Sequence, residues 1–317
     1  MQQIGILKIM GRRKIIVNLE NFNILALDGG GTRGIYTAQL LTKIEREIGI
    51  PIRDCFDLIV GTSTGAIVAG AAVSKISMEE IVQLFDQEAP EIFKQKWYRN
   101  QLLFSKYSQD TLAEVIARHI PPIRLSGVET PVLLTCSEIT TSDLHVFRSY
   151  KTNQANSKNQ SSDISLRDAV VASCAAPTFF SPKKIEELYL ADGGLWANNP
   201  SLAALAEAKT HFGKTPREIR ILSIGTGHSV SMYKERRGWG FLSGWGGTKL
   251  ISYVMALQSQ TSAFLTQQLL EENYMRINPV IDFWDIDTIK HLDQLKRQAE
   301  IDFTEYISEI QDFIQRR

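Results

Sequence analysis

The sequence lacks the features that would place it across a membrane, on a secretory route or against a polynucleotide. No apolar run is long enough to span a bilayer: Leu58–Ser74 is interrupted by glycines, and Leu250–Leu270 carries many Ser, Thr and Gln. The opening MQQIGILKIM is too short an apolar stretch before Arg12, Arg13 and Lys14 to make a signal peptide. Cysteine is scarce. Cys55, Cys136 and Cys174 cannot all pair, no CxxC or Cys/His cluster suggests zinc, and apolar neighbours predict buried thiols in a reducing cytosol. Net charge is missing as well, because 35 Lys+Arg balance 35 Asp+Glu, which removes any general attraction to nucleic acid or anionic lipid. The expectation is a soluble, cytoplasmic protein with no nucleic-acid polymer as partner.

What remains is ordinary globular material. The chain has 317 residues, 44% of them hydrophobic, enough to bury one large α/β core. Phe22–Leu27 reads as a buried strand entering a glycine cluster, and Ile35, Leu40, Leu41, Ile44 and Ile48 follow at helical spacing until Gly49 and Pro51. Asp57–Val60 reads as a second strand and Gly65–Val73 as a helix. Ser77 and Glu80 form a capping box that opens a helix through Phe85. Val132–Cys136, His145–Phe147 and Ile219–Ile224 are further strands, and Lys151–Asp163 is a polar loop. Leu292, Leu295, Ala299, Phe303, Tyr306, Ile310 and Phe313 form one stripe of a long amphipathic helix docked on the domain. The alternation predicts a single domain over 1–317, mainly parallel central sheet, helices on both faces and a C-terminal amphipathic helix.

Three short motifs carry chemistry. Gly61-Thr-Ser63-Thr-Gly65 lies between a strand and a helix, where a sharp turn projects the Ser63 hydroxyl and the flanking glycines give room for close packing. Asp28-Gly29-Gly30-Gly31-Thr-Arg33-Gly34 lets backbone N–H groups converge, as an oxyanion hole or a phosphate cradle would require. It lacks the Lys-Ser/Thr ending of a P-loop and the spacing of a dinucleotide fingerprint. Asp192-Gly193-Gly194 follows the apolar run Leu188–Ala191, at the strand end where active-site residues of α/β sheets gather; a plain Asp-Gly turn is the alternative.

A serine needs a base to take its proton. Of the five histidines, His228 is the one placed for a Ser-Asp-His order, after the strand-end loop Ser223–Gly227. If Asp192 is the base instead, burial must raise its pKa. Both readings stay open on the residues alone.

The three motifs, in this order, resemble those of the patatin-like phospholipases. Ser173-Cys-Ala-Ala-Pro177 and Asn198-Asn199-Pro200 add to the likeness, which spans about 22–227. It implies hydrolysis of phospholipid acyl esters without metal or cofactor. Ser63 is then nucleophile and Asp192 base, Gly29, Gly30 and Gly31 form the oxyanion hole supported by Arg33, and Gly61, Gly65, Gly193 and Gly194 shape the turns. Beyond Gly227, Arg236-Arg237-Gly-Trp239-Gly-Phe241-Leu242-Ser-Gly-Trp245-Gly-Gly247 and a helical extension over about 248–317 resemble the phospholipase effectors of bacterial cyclic-oligonucleotide anti-phage signalling (CBASS). That implies activation by a cyclic di- or trinucleotide from a partner synthase and peripheral contact with the inner membrane, and it leaves a homo-oligomer open. The aromatics of this segment suit a membrane interface or cap the cleft, and Lys234, Arg236 and Arg237 suit phosphates or a solvated face. The rivals are a constitutive esterase or acyltransferase with a Ser63–Asp192–His228 triad, and a non-catalytic switch with a nucleotide phosphate on Gly29–Gly31.

Overall fold

The computed structural model of the chain describes residues 21–94, 104–151, 164–229, 233, 238–240, 244–246, 248–282 and 285–315. Residues 1–20, most of the polar 151–163 loop, and Lys234, Arg236, Arg237, Phe241, Leu242 and Gly247 lie outside them.

The described strands are β1 (Phe22–Leu27), β2 (Leu58–Thr62), β3 (Val132–Glu138), β4 (Asp143–Arg148), β5 (Lys183–Ile185), β6 (Leu188–Asp192), β7 (Ile219–Ile224) and β8 (Tyr274–Ile277). They form one sheet in the order β5-β6-β3-β2-β1-β7-β8, with β4 paired to β3 off that path. β3, β2, β1, β7 and β8 run parallel, while β4, β5 and β6 join by antiparallel pairing at one end. The sheet is therefore mainly parallel, as the alternation of strands and helices requires. β5 and β8 escaped the sequence reading. Lys183-Lys-Ile185 is short and charged, and Tyr274-Met-Arg-Ile277 carries an arginine that only a buried partner makes tolerable.

Side chains of β1 alternate between two cores. Leu25 and Leu27 face helices 34–48, 64–73, 78–92, 109–119, 166–173 and 292–315; Ile24 and Ala26 face helix 201–211 and Leu270, the last residue of helix 248–270. Two apolar faces on one strand are what a parallel sheet covered on both sides demands. The helix opened by Ser77, whose Oγ accepts the Glu80 N–H, runs on past Phe85 to Ile92 with Pro90 inside it, because Leu84, Phe85, Ala89 and Ile92 continue the buried stripe. All three cysteines are buried and free, as expected.

The two long C-terminal helices cover opposite faces. Helix 292–315 buries Leu292, Leu295, Ala299, Ile310 and Phe313 against the larger core, the stripe its sequence predicts, with Phe303 and Tyr306 partly covered. Helix 248–270 is inverted. Its buried side includes Ser252, Ser259, Ser262 and Thr266, while Val254, Leu257, Phe264, Leu265 and Leu269 are exposed. Part of the polar side bonds to the chain beneath: Ser262 Oγ accepts the Leu202 N–H at 3.2 Å, and Gln258 accepts that of Asn199 at 3.0 Å, covering open donors at the start of helix 201–211.

Candidate active site

β3 explains how positions far apart in the chain meet. β4 lines one of its edges from Leu133 to Glu138. The other edge is shared: β2 pairs with Val132–Thr135, and β6, running the opposite way, pairs with Cys136–Glu138. Thr62 stands opposite Thr135 and Asp192 opposite Cys136, so the C-terminal ends of β2 and β6 meet head-on. Ser63 follows the first end and Asp192 closes the second.

The turn at Ser63 is strained and braced. Its φ of 55° and ψ of −123° are rare for a side-chain-bearing residue. The Ser63 N–H donates to Ser173 Oγ at 2.9 Å, and Ser173 donates to the Thr135 carbonyl at 2.7 Å. Thr62 Oγ1 donates to the Ala197 carbonyl at 2.6 Å, tying the turn to the corner after Asp192. Gly61 and Gly65 are required by contact: a Cβ on the first would lie 2.4 Å from the Gly65 carbonyl oxygen, and on the second 2.3 Å from that of Leu27.

Asp192 is buried, with Oδ1 accepting the Gly194 N–H at 2.7 Å and Oδ2 lacking a well-formed hydrogen bond. Burial pushes its pKa up to about 6, opposed by the facing Ser63 hydroxyl and the Gly194 N–H, which favour the charged form. A carboxyl poised there accepts a proton near neutrality. Gly193 packs on Thr135, where a Cβ would come 2.2 Å from its hydroxyl.

The glycine loop lies beside Ser63. A Cβ on Gly29 would fall 3.1 Å from Ser63 Cβ, so the two backbones are in close approach. The Gly29 N–H is engaged, donating to the Asn198 carbonyl at 2.9 Å. That corrects the expectation of three converging donors and leaves Gly30 and Gly31. Gly31 has φ +60°, and its position against the Ile286 carbonyl, 1.9 Å from where a Cβ would stand, admits glycine alone. Arg33 donates to the carbonyls of Gly30 at 3.3 Å and Gly227 at 3.2 Å. Asp28 anchors the loop from the other side: Arg276 forks onto both its oxygens at 2.6 and 3.1 Å, and Ser259 donates to it at 2.9 Å.

His228 is engaged elsewhere, with its ring nitrogen 3.3 Å from the Asn278 amide and its backbone paired to the chain after β8. Among the described residues no cluster of His, Cys, Asp and Glu could hold a metal, and no helix is long and apolar enough to cross a membrane. Ser173, Asn198 and Arg276 shape the site without having stood out as candidates. Ser173 and Asn198 lie in quoted motifs, and Arg276 has no local signature.

Two cavities lie near the site, and Ser63 lines the smaller. One, about 40 Å³, is lined by Ser63, Ile67, Phe85, Phe93, Leu112 and Phe179, and is apolar. The other, about 360 Å³, has a mixed polar and apolar lining and is bordered by Gly29, Gly30, Arg33, Asn198 and Arg276. Met255 and Ile286 wall both.

Comparison with known proteins accords with this geometry. The family model described as patatin-like phospholipase matches residues 25–205. A cGAMP-activated phospholipase of Escherichia coli is 31% identical over 294 residues, covering 84% of this chain and 82% of that one. A cUMP-AMP-activated phospholipase of Escherichia coli is 31% identical, covering 89% and 85%. The 85/88 kDa calcium-independent phospholipase A2 of Rattus norvegicus is 31% identical over 232 residues, covering 65% of this chain and 27% of that protein.

Proposed function

Because this chain belongs to the patatin-like phospholipase family, and is a hydrolase of phospholipase A type, we propose that Ser63 and Asp192 are its catalytic pair. The observation that supports this most is the head-on meeting of β2 and β6, which sets a strained serine against a buried carboxyl of raised pKa. Asp192 takes the Ser63 proton as Oγ attacks the ester carbonyl. The N–H groups of Gly30 and Gly31 hold the oxyanion, and the lysophospholipid leaves with the proton from Asp192. Water, deprotonated by Asp192, then attacks the acyl-enzyme, releasing fatty acid and restoring the Ser63 hydroxyl.

The enzyme is silent until a cyclic dinucleotide from a partner synthase binds, and then degrades the inner membrane as a CBASS defence effector. Two observations support gating. Relatives over most of the chain are named as cGAMP- and cUMP-AMP-activated phospholipases. The apolar cavity at Ser63, about 40 Å³, has room for a few waters at roughly 10–15 Å³ each, not for an acyl chain. Met255 and Ile286 must move before substrate enters. The inverted helix 248–270, with Lys249 as its sole charge and Trp239 and Trp245 exposed nearby, supports peripheral contact with lipid.

Fatty-acid release from phosphatidylglycerol vesicles tests the reading. Release should be near zero alone, rise with cGAMP or cUMP-AMP, and vanish in Ser63→Ala. Equal activity with and without either nucleotide removes the gate; activity surviving Ser63→Ala removes the catalytic pair.

A further inference from the structure

The larger cavity, beside the glycine loop, is bordered by one matched ion pair and one unmatched cation. Arg276 is neutralised by its fork onto Asp28. Among the described residues Arg33 bonds only to the carbonyls of Gly30 and Gly227, and no carboxylate there lies within ion-pair distance of it. The acids that face it, Asp28 and Asp285, act on it from beyond contact, and burial pulls its pKa down to about 10. Arg33 is half-buried, and a guanidinium withdrawn from water without a contacting anion is an uncommon and costly arrangement. A second group in the same wall is also unfinished. Asn198 is 7% exposed, and its Oδ1 has no hydrogen-bond partner, although its backbone carbonyl clamps Gly29. Turning the amide over offers two donors to the same space.

We propose that this cavity is a binding site for a phosphodiester anion, with Arg33 as its counter-charge and the Asn198 amide as a donor. The cavity, about 360 Å³, falls within the range of small-ligand sites. Its position adds a chemical argument that rests on the phospholipase reading. An ester in a glycerophospholipid has an acyl chain on one side and a phosphodiester on the other, and the apolar cavity that Ser63 lines shares Met255 and Ile286 as a common wall with this one. A cyclic dinucleotide carries the same anion, so lipid and messenger are the two sources to distinguish.

Gln260 lines the cavity from an exposed position on helix 248–270 and is the position to charge. Gln260→Glu and Gln260→Lys would be compared with wild type on monomeric short-chain phosphatidylcholine and on diacylglycerol of the same chains, with p-nitrophenyl butyrate as control. Each is run with and without nucleotide, and equilibrium binding of cGAMP and cUMP-AMP is measured separately. If a lipid phosphodiester sits here, Gln260→Glu lowers the phosphatidylcholine-to-diacylglycerol ratio of kcat/KM by about tenfold and Gln260→Lys raises it, while butyrate hydrolysis holds. If the messenger sits here, the ratio holds while Gln260→Glu raises the nucleotide Kd and Gln260→Lys lowers it. Ratio and Kd both unmoved by either charge overturn the proposal. Failure of the catalytic reading is distinct, because butyrate hydrolysis would then survive Ser63→Ala, and nucleotide binding is read without turnover.

Discussion

The corners at Asp28 and Asp192 begin alike and end differently. Each aspartate ends or follows a buried strand, precedes two glycines and is almost wholly buried. Asp28 has both oxygens occupied, by the two arms of Arg276 and by Ser259. Asp192 accepts one backbone N–H and keeps an oxygen open toward Ser63. Burial pushes the pKa of both carboxyls up. In the one gripped by arginine a contacting charge opposes this and holds the group immobile, whereas the one left half-satisfied in a dry site is free to take and return a proton. The same tripeptide thus makes a clamp in one place and a proposed base in the other. What separates them is the partner the fold supplies.

The largest effects should come from the open corner and leave the fold alone. Ser63→Ala is expected to cut fatty-acid release by about 10⁶-fold, the scale on which a serine hydrolase loses its nucleophile. Asp192→Asn should cost about 10²–10⁴-fold, the usual contribution of a general base, with unchanged circular dichroism. The clamp corner should show the reverse pattern. Asp28→Asn leaves Arg276 buried without its counter-charge, a loss of about 3–5 kcal/mol in unfolding free energy by urea titration. If Asp28→Asn spared stability and abolished turnover instead, the contrast between the two corners would collapse.

Sequence pattern displayed the frame and the candidate pair, but not this contrast. β1, β7 and helix 34–48 were legible because apolar periodicity and glycine punctuation are local signals. Ser63 and Asp192 stood out through motifs at strand ends. Their contact was not legible, because it depends on β2 and β6 dividing one edge of β3, a matter of register between distant segments. Arg276 was hidden for the same reason: it lies 248 positions from Asp28 and looks like an exposed strand arginine until the partner is seen. The engagement of the Gly29 N–H turns on where Asn198 places its carbonyl, which three adjacent glycines do not disclose.

Asp192 also predicts a pH signature of either sign, depending on what is measured. Activity needs the deprotonated form, so kcat/KM should fall on the acid side through about 6. Stability runs the other way. The folded pKa lies above the ordinary 3.8, so the favourable contribution is complete below that value and is lost as pH rises through about 6. Above that range the wild type carries a buried charge that Asp192→Asn lacks. The variant should therefore be more stable at pH 8 by up to about 3 kcal/mol and lose that advantage toward pH 4. A pH-independent difference would mean that the carboxyl does not titrate in the folded protein.

Ser259→Ala should produce the smallest change and refine the clamp. Its hydroxyl donates to Asp28 Oδ2 at 2.9 Å and accepts from Arg276 Nη2 at 3.0 Å, so it bridges the two charges without carrying one. Arg276 still grips both oxygens when the hydroxyl is gone, and the expected loss is about 1 kcal/mol, that of a typical hydrogen bond. Paired with Asp28→Asn in a double-mutant cycle, it should show strong coupling, because the hydroxyl has no second acid to serve. Additive losses would place the anchoring of helix 248–270 in its other contacts, the Ser262 and Gln258 bonds to the start of helix 201–211, rather than in the clamp.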